Sequence, residues 1–303
     1  MPDLDQTSRV SRRLRDVLEP LVGSVYFAPE CHKAYEALGF GPSPARAGDV
    51  ELPDGAAYFT SRGSVMGQVP GEVVAAAFGV FNPAVVVPAV TMGWGLTDAT
   101  TIGSARTAGA IAQLERILGP DPEGLARAIE ILRRLTADLH PQGRPLYSGV
   151  LAQGAPDTAL GELWWLGDLL REFRGDSHTI AWVGAGLDAL EIGLLSELWI
   201  GLPMKTYVRS RAWSAEQLTA AQERLRDRGL VDGDGFSEAD RALREDIEAT
   251  TDRQLAGVVR ALGDDAEELT SLLAGWSRQV IAAGGYPRAG AADIAPRAAP
   301  ADR

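Results

Sequence analysis

Two runs of apolar residues at helical spacing follow one another between Trp164 and Ile200. Arg174, Gly175 and Asp176 separate them. Glycine accepts the left-handed conformation that ends a helix, and aspartate accepts hydrogen bonds from the first amides of the next one, so the pattern predicts a helix junction here. The apolar residues are Leu166, Leu169, Leu170 and Phe173 before the junction, and Ile180, Val183, Leu187, Leu190, Leu194, Leu195 and Leu198 after it.

The chain before this junction also has mainly helical patterns. Asn82 and Asp121, each followed by a proline, have the residue types of a helix N-cap and first turn. Residues 41–57 and 141–156 are rich in Gly and Pro and are predicted to be loops. The predicted helices are 8–21, 29–38, 71–81, 83–90, 98–118 and 122–139.

The C-terminal part has a different order of elements. Ser214 and Gln217 have the spacing of a capping box, which opens a helix that stops at Gly229. A short apolar pair, a Gly-rich turn at 232–235 and a new helix start at Ser237 follow. Helix, short strand, turn, strand and helix is the order of a winged helix-turn-helix.

The sequence therefore predicts a mostly α protein with a helical N-terminal region, a central helix pair and a C-terminal winged helix-turn-helix. We predict an N-terminal helical domain at 1–155 and a domain at 156–285 that holds the central helices and the winged helix. The last two helices are expected at 237–262 and 265–283. The tail, 286–303, is rich in Pro and Ala and is predicted to be disordered.

Composition narrows the class of protein. With 46% hydrophobic and 23% charged residues, the chain has the composition of a globular protein. One cysteine, Cys31, excludes an internal disulfide framework and fits a reducing compartment. The N-terminus lacks the apolar core of a signal peptide, and the apolar runs carry charges, Pro or Gly, so we expect a cytoplasmic protein without a membrane partner.

The predicted junction also concentrates ionisable residues between apolar runs. Such groups must be paired or shifted in pKa, which makes the junction the first candidate ligand site. Here Asp176 would orient an arginine or a histidine. His178, in the first turn of its predicted helix, would with Arg171 or Arg174 favour an anion. The alternative is an N-capped helix start with a structural Arg–Asp pair.

Two further arginines lie in the predicted loop regions. Arg62 and Arg144 stand among aromatic and apolar residues such as Tyr58, Phe59 and Tyr147. They are candidates for anion contacts at the rim of the same pocket. Cation–π contacts or loop fixation would explain them equally well.

The predicted DNA-binding segment is poorly basic. The net charge of the chain is −12, and residues 201–260 contain ten Lys and Arg against eleven Asp and Glu. The predicted recognition helix offers Gln217 and Thr219 but no arginine near its start, and the wing carries Asp232 and Asp234. DNA is therefore predicted as a weak partner only.

Other motifs do not indicate a cofactor or a metal. Residues 184–189 match the Gly-x-Gly-x-x-Ala dinucleotide fingerprint, but a helical pattern runs through them instead of a strand and turn. The histidines His32, His140 and His178 have no metal-ligand spacing. No cofactor and no metal ion are predicted.

Five segments together resemble a family of actinobacterial winged helix-turn-helix proteins, often MarR-like and of unsettled function. These segments are 58–83, 143–149, 169–178, 211–235 and 246–253. The resemblance covers nearly the whole chain except the tail. It implies a winged-helix fold and a homodimer. The family pattern has histidine where this chain has Phe173, so no role of that position is carried over.

The leading functional hypothesis is a small-molecule-binding winged-helix protein of regulatory type. An anionic or aromatic metabolite would bind near Arg171, Arg174, Asp176 and His178. The alternative is a cofactor-free enzyme of secondary metabolism. In that case His178 would act as acid or base, Asp176 would orient it, and an arginine would stabilise developing negative charge.

Overall fold

A computed structural model describes residues 5–294, and helices account for most of them. The helices of the first half are α1 (Gln6–Gly23), α2 (Pro29–Ala37), α3 (Gly55–Gly63), α4 (Gly71–Phe78), α5 (Pro83–Leu96), α6 (Ala99–Leu118), α7 (Leu125–Thr136) and α8 (Pro145–Gln153). Those of the second half are α9 (Ala159–Gly184), α10 (Ala189–Trp199), α11 (Ala215–Asp227), α12 (Glu238–Gln254), α13 (Ala256–Leu262), α14 (Ala266–Ala282) and α15 (Ala291–Ile294). The mostly α prediction is confirmed.

Short elements connect these helices. Two antiparallel hairpins pair β1 (Arg46–Ala47) with β2 (Val50–Glu51), and β3 (Val231–Asp232) with β4 (Gly235–Phe236). The second hairpin lies where the wing was predicted, with Val231 opposite Phe236. Short 3-10 helices lie at Ser24–Phe27, Ser64–Met66, Tyr207–Arg211 and Gly263–Asp265.

The buried apolar residues form two separate cores. The larger core takes residues from 14–173 and again from 255–280, and we call this part the body. The smaller core lies within 181–247, where the end of α9 packs with α10, α11, the second hairpin and α12. We call residues 181–254 the module. Helices α13 and α14 thus return to the body after the module.

The predicted junction at 174–176 is wrong, because α9 runs through it as one helix of 26 residues. Gly175 is exposed on the surface of α9. Asp176 is a buried residue in the middle of the same helix and caps no helix start there. A glycine inside a helix lowers the stability of the helix by about 1 kcal/mol relative to alanine. The packing of α9 on several sides stabilises the helix by more than this. The break comes later, at Gly186 with φ 73° and at Asp188, whose capping box with Glu191 opens α10.

Other predicted boundaries also differ from the structure: the predicted helix 71–81 ends at Phe78, and the predicted loop 41–57 contains β1, β2 and the start of α3. Helix α7 starts only at Leu125, because Gly124 takes a left-handed conformation with φ 84°. The predicted loop 141–156 contains α8, which begins with a proline. The predicted helix 237–262 is two helices that meet at Leu255.

Two predicted N-caps with side-chain acceptors, Asn82 and Ser214, are confirmed, whereas the predicted cap at Asp121 is wrong, because α7 has Gly124 as its N-cap. Asn82 caps α5 and Asp98 caps α6, in each case through its side-chain oxygen. Ser214 and Gln217 form the complete capping box of α11. These signals are local, so the sequence contains all the information they need.

The end of the described chain packs against the body. The Ser277 hydroxyl of α14 donates to the Val17 carbonyl of α1 at 2.5 Å. Beyond α14, Tyr286 and the segment up to Ile294 line cavities beside α9. The remainder of the predicted tail, 295–303, lies outside the described residues.

The Gly175→Ala substitution distinguishes a continuous α9 from a junction. In a continuous helix, alanine at this exposed position stabilises the protein by about 1 kcal/mol. A Cβ there would meet only the Glu172 carboxylate, at 3.6 Å. Gly186→Ala is the matched control and is expected to destabilise the protein by about 1 kcal/mol, because its φ is 73°. Urea unfolding measures both; a loss of stability with Gly175→Ala would contradict the continuous helix.

Candidate functional site

Two neighbouring cavities lie between α9 and the C-terminal segment. The first, of about 480 Å³, combines apolar residues of α1 with charged groups, and we call it the arginine cleft. Its charged lining residues are Arg15, Asp16, Glu19, Arg62, Arg171, Glu172, Arg174 and Arg288. The second, of about 350 Å³, is the aromatic cavity. Its aromatic lining residues are Tyr26, Phe27, Tyr58, Phe59, Phe81, Tyr207 and Tyr286.

The two cavities share part of their lining. Glu19, Arg171, Tyr286 and Gly290 line both of them. Both sizes fall within the range of small-molecule sites. The cavities are therefore adjacent parts of one candidate site.

The buried carboxylate of Glu172 binds two of the arginines that line the candidate site. Glu172 accepts from Arg62 at 3.0 Å and from Arg171 at 2.7 Å. Arg171 also pairs with Glu19 at 3.0 Å and donates to the Tyr26 hydroxyl. Burial opposes the ionisation of Glu172, but Arg62 and Arg171 outweigh it and lower the pKa of Glu172 to about 2. Both arginines are thus already neutralised by carboxylates.

A second ionic cluster joins α9 to α12. Arg174 and Arg244 hold the two oxygens of the Glu248 carboxylate at 2.8 and 2.7 Å. Burial again opposes ionisation of Glu248, but these arginines lower its pKa to about 2. His178 bonds the Thr251 hydroxyl at 3.1 Å, and burial lowers the pKa of this histidine to about 3. His178 is therefore neutral at pH 7.

Asp176 has a structural contact on another side of α9. Its carboxylate accepts the backbone N–H of Tyr147 at 3.0 Å and so holds the first turn of α8. Burial raises the pKa of Asp176 to about 7. Arg144 lies over the Phe173 ring at 4.3 Å and donates to Ser177 and Gln254.

The structure brings only part of the predicted site together. Arg62, Arg171 and Arg174 line the arginine cleft, whereas Arg144, Asp176 and His178 line neither cavity. His178 lies in the C-terminal half of α9 rather than at a helix start, so the expectation that the helix N-terminus favours an anion beside it is wrong. Asp176 bonds the start of α8, and the Nδ1 of His178 bonds Thr251. The ligand role of these residues stays a prediction.

Sequence reasoning missed a fully buried ion pair. Arg106 of α6 donates to Asp168 of α9 at 2.8 Å, and the two residues are 2% and 0% exposed. The Arg106 guanidinium also lies over the Trp164 ring at 4.8 Å. Each charge stands in an apolar helical run, which is the signal that could have marked them. Their partnership across the fold has no local signal.

The module contains a helix, a turn and a second helix in sequence. The 3-10 helix Tyr207–Arg211 ends at Ala212, which has a left-handed φ of 63°, and α11 begins after Ser214. Helix α11 packs its apolar side into the module core and leaves its other side exposed. The β3–β4 hairpin follows directly.

The chain belongs to a helix-turn-helix family, which matches residues 11–287. No curated protein and no solved structure matches the chain. In residues 5–294, no cluster of His, Cys, Asp and Glu could hold a metal ion. No single described helix is long and apolar enough to cross a membrane; α9 and α10 meet that criterion only as a pair bent by 110°.

Asp168→Ala tests the buried ion pair. It leaves the Arg106 charge without a partner in the core, so we expect a loss of about 3–5 kcal/mol of unfolding free energy. Glu162→Ala is the control, because Glu162 binds Arg133 through two hydrogen bonds at the surface and its loss should change stability little. Equal losses in urea unfolding would contradict a special role of burial.

His178→Gln tests the buried neutral histidine. The unfolded chain binds a proton at His178 below its ordinary pKa of 6.5, whereas the folded chain does so only near 3. The wild type should therefore lose stability relative to the variant as the pH falls from 6.5 towards 3. The raised pKa of Asp176 changes stability with pH in the opposite direction over an overlapping range. Because Asp176 is present in both proteins, this effect cancels in the difference between them. A stability difference that does not change with pH would contradict the buried neutral state.

Proposed function

We propose that the protein is a DNA-binding regulator that uses the Tyr207–Arg211 helix and α11 as its helix-turn-helix and the β3–β4 hairpin as its wing. The observation that carries the proposal is the exposed side of α11, presented beside an exposed hairpin in a chain of a helix-turn-helix family. An exposed second helix of this motif is the element that enters the major groove in such proteins.

The start of α11 supplies the surface that would face the bases. Glu216, Thr219, Ala220 and Glu223 are exposed there. The Thr219 hydroxyl and the Ala220 methyl are groups that contact base edges and thymine methyls. The two glutamates oppose phosphate, so this surface favours few and specific contacts over general attraction.

The phosphate contacts would come from cations beside α11 and the hairpin. Arg224, Arg226 and Arg228 of the helix end are within 4.0 Å of carboxylates in the module. Within the described residues, Lys205, Arg209 and Arg241 have no carboxylate that close. The Lys205 amino group bonds Thr219 of α11, and Arg241 lies over the Phe236 ring of the hairpin.

We also propose that a small anionic or aromatic molecule regulates this activity from the two cavities beside α9. Arg62, Arg171 and Arg174 support this as hydrogen-bond donors beside apolar walls, although carboxylates already balance their charge. The family resemblance of the sequence to MarR-like proteins supports a homodimer, in which two copies of α11 would bind two half-sites.

The Lys205→Gln, Arg209→Gln double variant tests DNA binding. Fluorescence anisotropy would follow a labelled duplex taken from the DNA that flanks the protein's own gene, over a series of salt concentrations. Loss of two phosphate contacts should reduce the slope of log affinity against log salt by about 2. Arg133→Gln, on the body surface, is the control and should leave the slope unchanged. Absence of wild-type binding at low salt would contradict the proposal.

A further inference from the structure

We propose that the aromatic cavity is the effector site, that it binds an aromatic carboxylate, and that Arg211 holds the carboxylate group. This assignment lies outside the residues that the sequence analysis singled out. Its regulatory part rests on the proposed function, whereas the binding part stands without it.

The walls of the cavity favour a flat aromatic molecule. Tyr26, Tyr58, Phe59 and Phe81 of the body form one continuous group of rings, with neighbouring ring centres 5.1–5.7 Å apart. Tyr207 and Tyr286 add aromatic surface from the module and from the C-terminal segment. Rings packed edge to face and tilted in this way offer faces and edges to a further ring.

Arg211 supplies a positive charge with donors to spare. Its guanidinium carbon lies 4.6 Å from the ring centre of Phe81 and 4.7 Å from that of Tyr207. One of its N–H groups donates to the Tyr207 hydroxyl at 2.5 Å. Within residues 5–294 no carboxylate oxygen lies within 4.0 Å of the guanidinium nitrogens of Arg211.

Arg211 differs in its partners from Arg171, the other arginine that lines the cavity. Arg171 is already bound by Glu19 and Glu172, so an incoming anion would have to displace a carboxylate there. The planar guanidinium of Arg211, held by two rings, presents its edge for two parallel hydrogen bonds to a carboxylate. The cavity volume of about 350 Å³ suits a molecule with one or two rings.

The same residue is part of the connection between the body and α11. The Asn82 backbone N–H donates to the Arg211 carbonyl at 3.0 Å, and the Asn82 amide donates to the Ala212 carbonyl at 2.9 Å. The Trp213 indole donates to the Val80 carbonyl at 2.9 Å. These bonds fix residues 211–213, directly before the N-cap of α11, onto the loop that carries Phe81. A ligand bound in the cavity against Phe81 and Arg211 would therefore shift the start of α11, and DNA affinity would change with it.

Calorimetry with the full chain tests the binding part. The probes are 1-naphthoate and its uncharged amide, 1-naphthamide. We expect naphthoate to bind, and to bind about tenfold or more weaker to Arg211→Gln, because a hydrogen-bonded charge pair is lost. Naphthamide should show a similar loss on the wild type. Tyr207→Phe keeps the ring and should weaken naphthoate binding less than Arg211→Gln.

Arg133→Gln, which lines neither cavity, is the control and should bind naphthoate as the wild type does. Thermal unfolding establishes that Arg211→Gln is folded. No binding of naphthoate to the wild type, equal binding of the amide, or full affinity of folded Arg211→Gln would each overturn the assignment.

Anisotropy of the labelled duplex, with and without saturating naphthoate, tests the regulatory part. We expect a change in DNA affinity in the wild type and none in Arg211→Gln. Naphthoate binding through Arg211 with unchanged DNA affinity would overturn the coupling to α11. Naphthoate binding by a protein that binds no DNA at any salt would overturn the proposed function and leave the cavity assignment supported.

Discussion

Helix α9 depends on one constraint: each charge that it carries into the protein interior must find a partner on a neighbouring helix. Asp168 binds Arg106 of α6, Glu172 binds Arg62 of α3, and Arg174 binds Glu248 of α12. An isolated buried charge would cost several kcal/mol, so each pair fixes the position of the helix that supplies the partner. The charges that first suggested a ligand site therefore hold much of the fold together.

This constraint also explains why local sequence signals mispredicted the centre of the chain. Gly175 and Asp176 have the residue types of a helix end and a helix start, and nothing nearby in the sequence contradicts that interpretation. The decisive contacts come from residues far away in the chain, such as Tyr147, which binds Asp176. At Ser214 and Asn82 the capping contacts are local, and there the sequence predicted the structure correctly.

The candidate site was predictable only in part for a related reason. Successive residues of a helix point about 100° apart, so ionisable residues close together in the sequence do not all meet on one face. Arg171 faces the cavities and Asp176 faces α8, whereas Arg174 and His178, one turn apart, both reach α12. The sequence did not predict Arg211 as a ligand contact, because the residues around it come from the body, the module and the C-terminal segment.

The division of the chain into two cores bears on the proposed function. The body and the module meet at several places, among them α9 and the bonds between the Val80–Asn82 loop and residues 211–213. In our proposal, a ligand in the cavity at the second of these contacts acts on α11 through these bonds. In the proposed function, the acidic charge of the whole chain would leave DNA binding dependent on a few contacts, which a small change at α11 would disturb.

Backbone hydrogen exchange along α9 tests the central claim most directly. If paired charges hold α9 as one helix, the amides of residues 172–180 exchange as slowly as those of the flanking turns. Rapid exchange confined to residues 174–178, between two protected stretches, would mean that the helix is broken there and that its charges are not held as the structure describes.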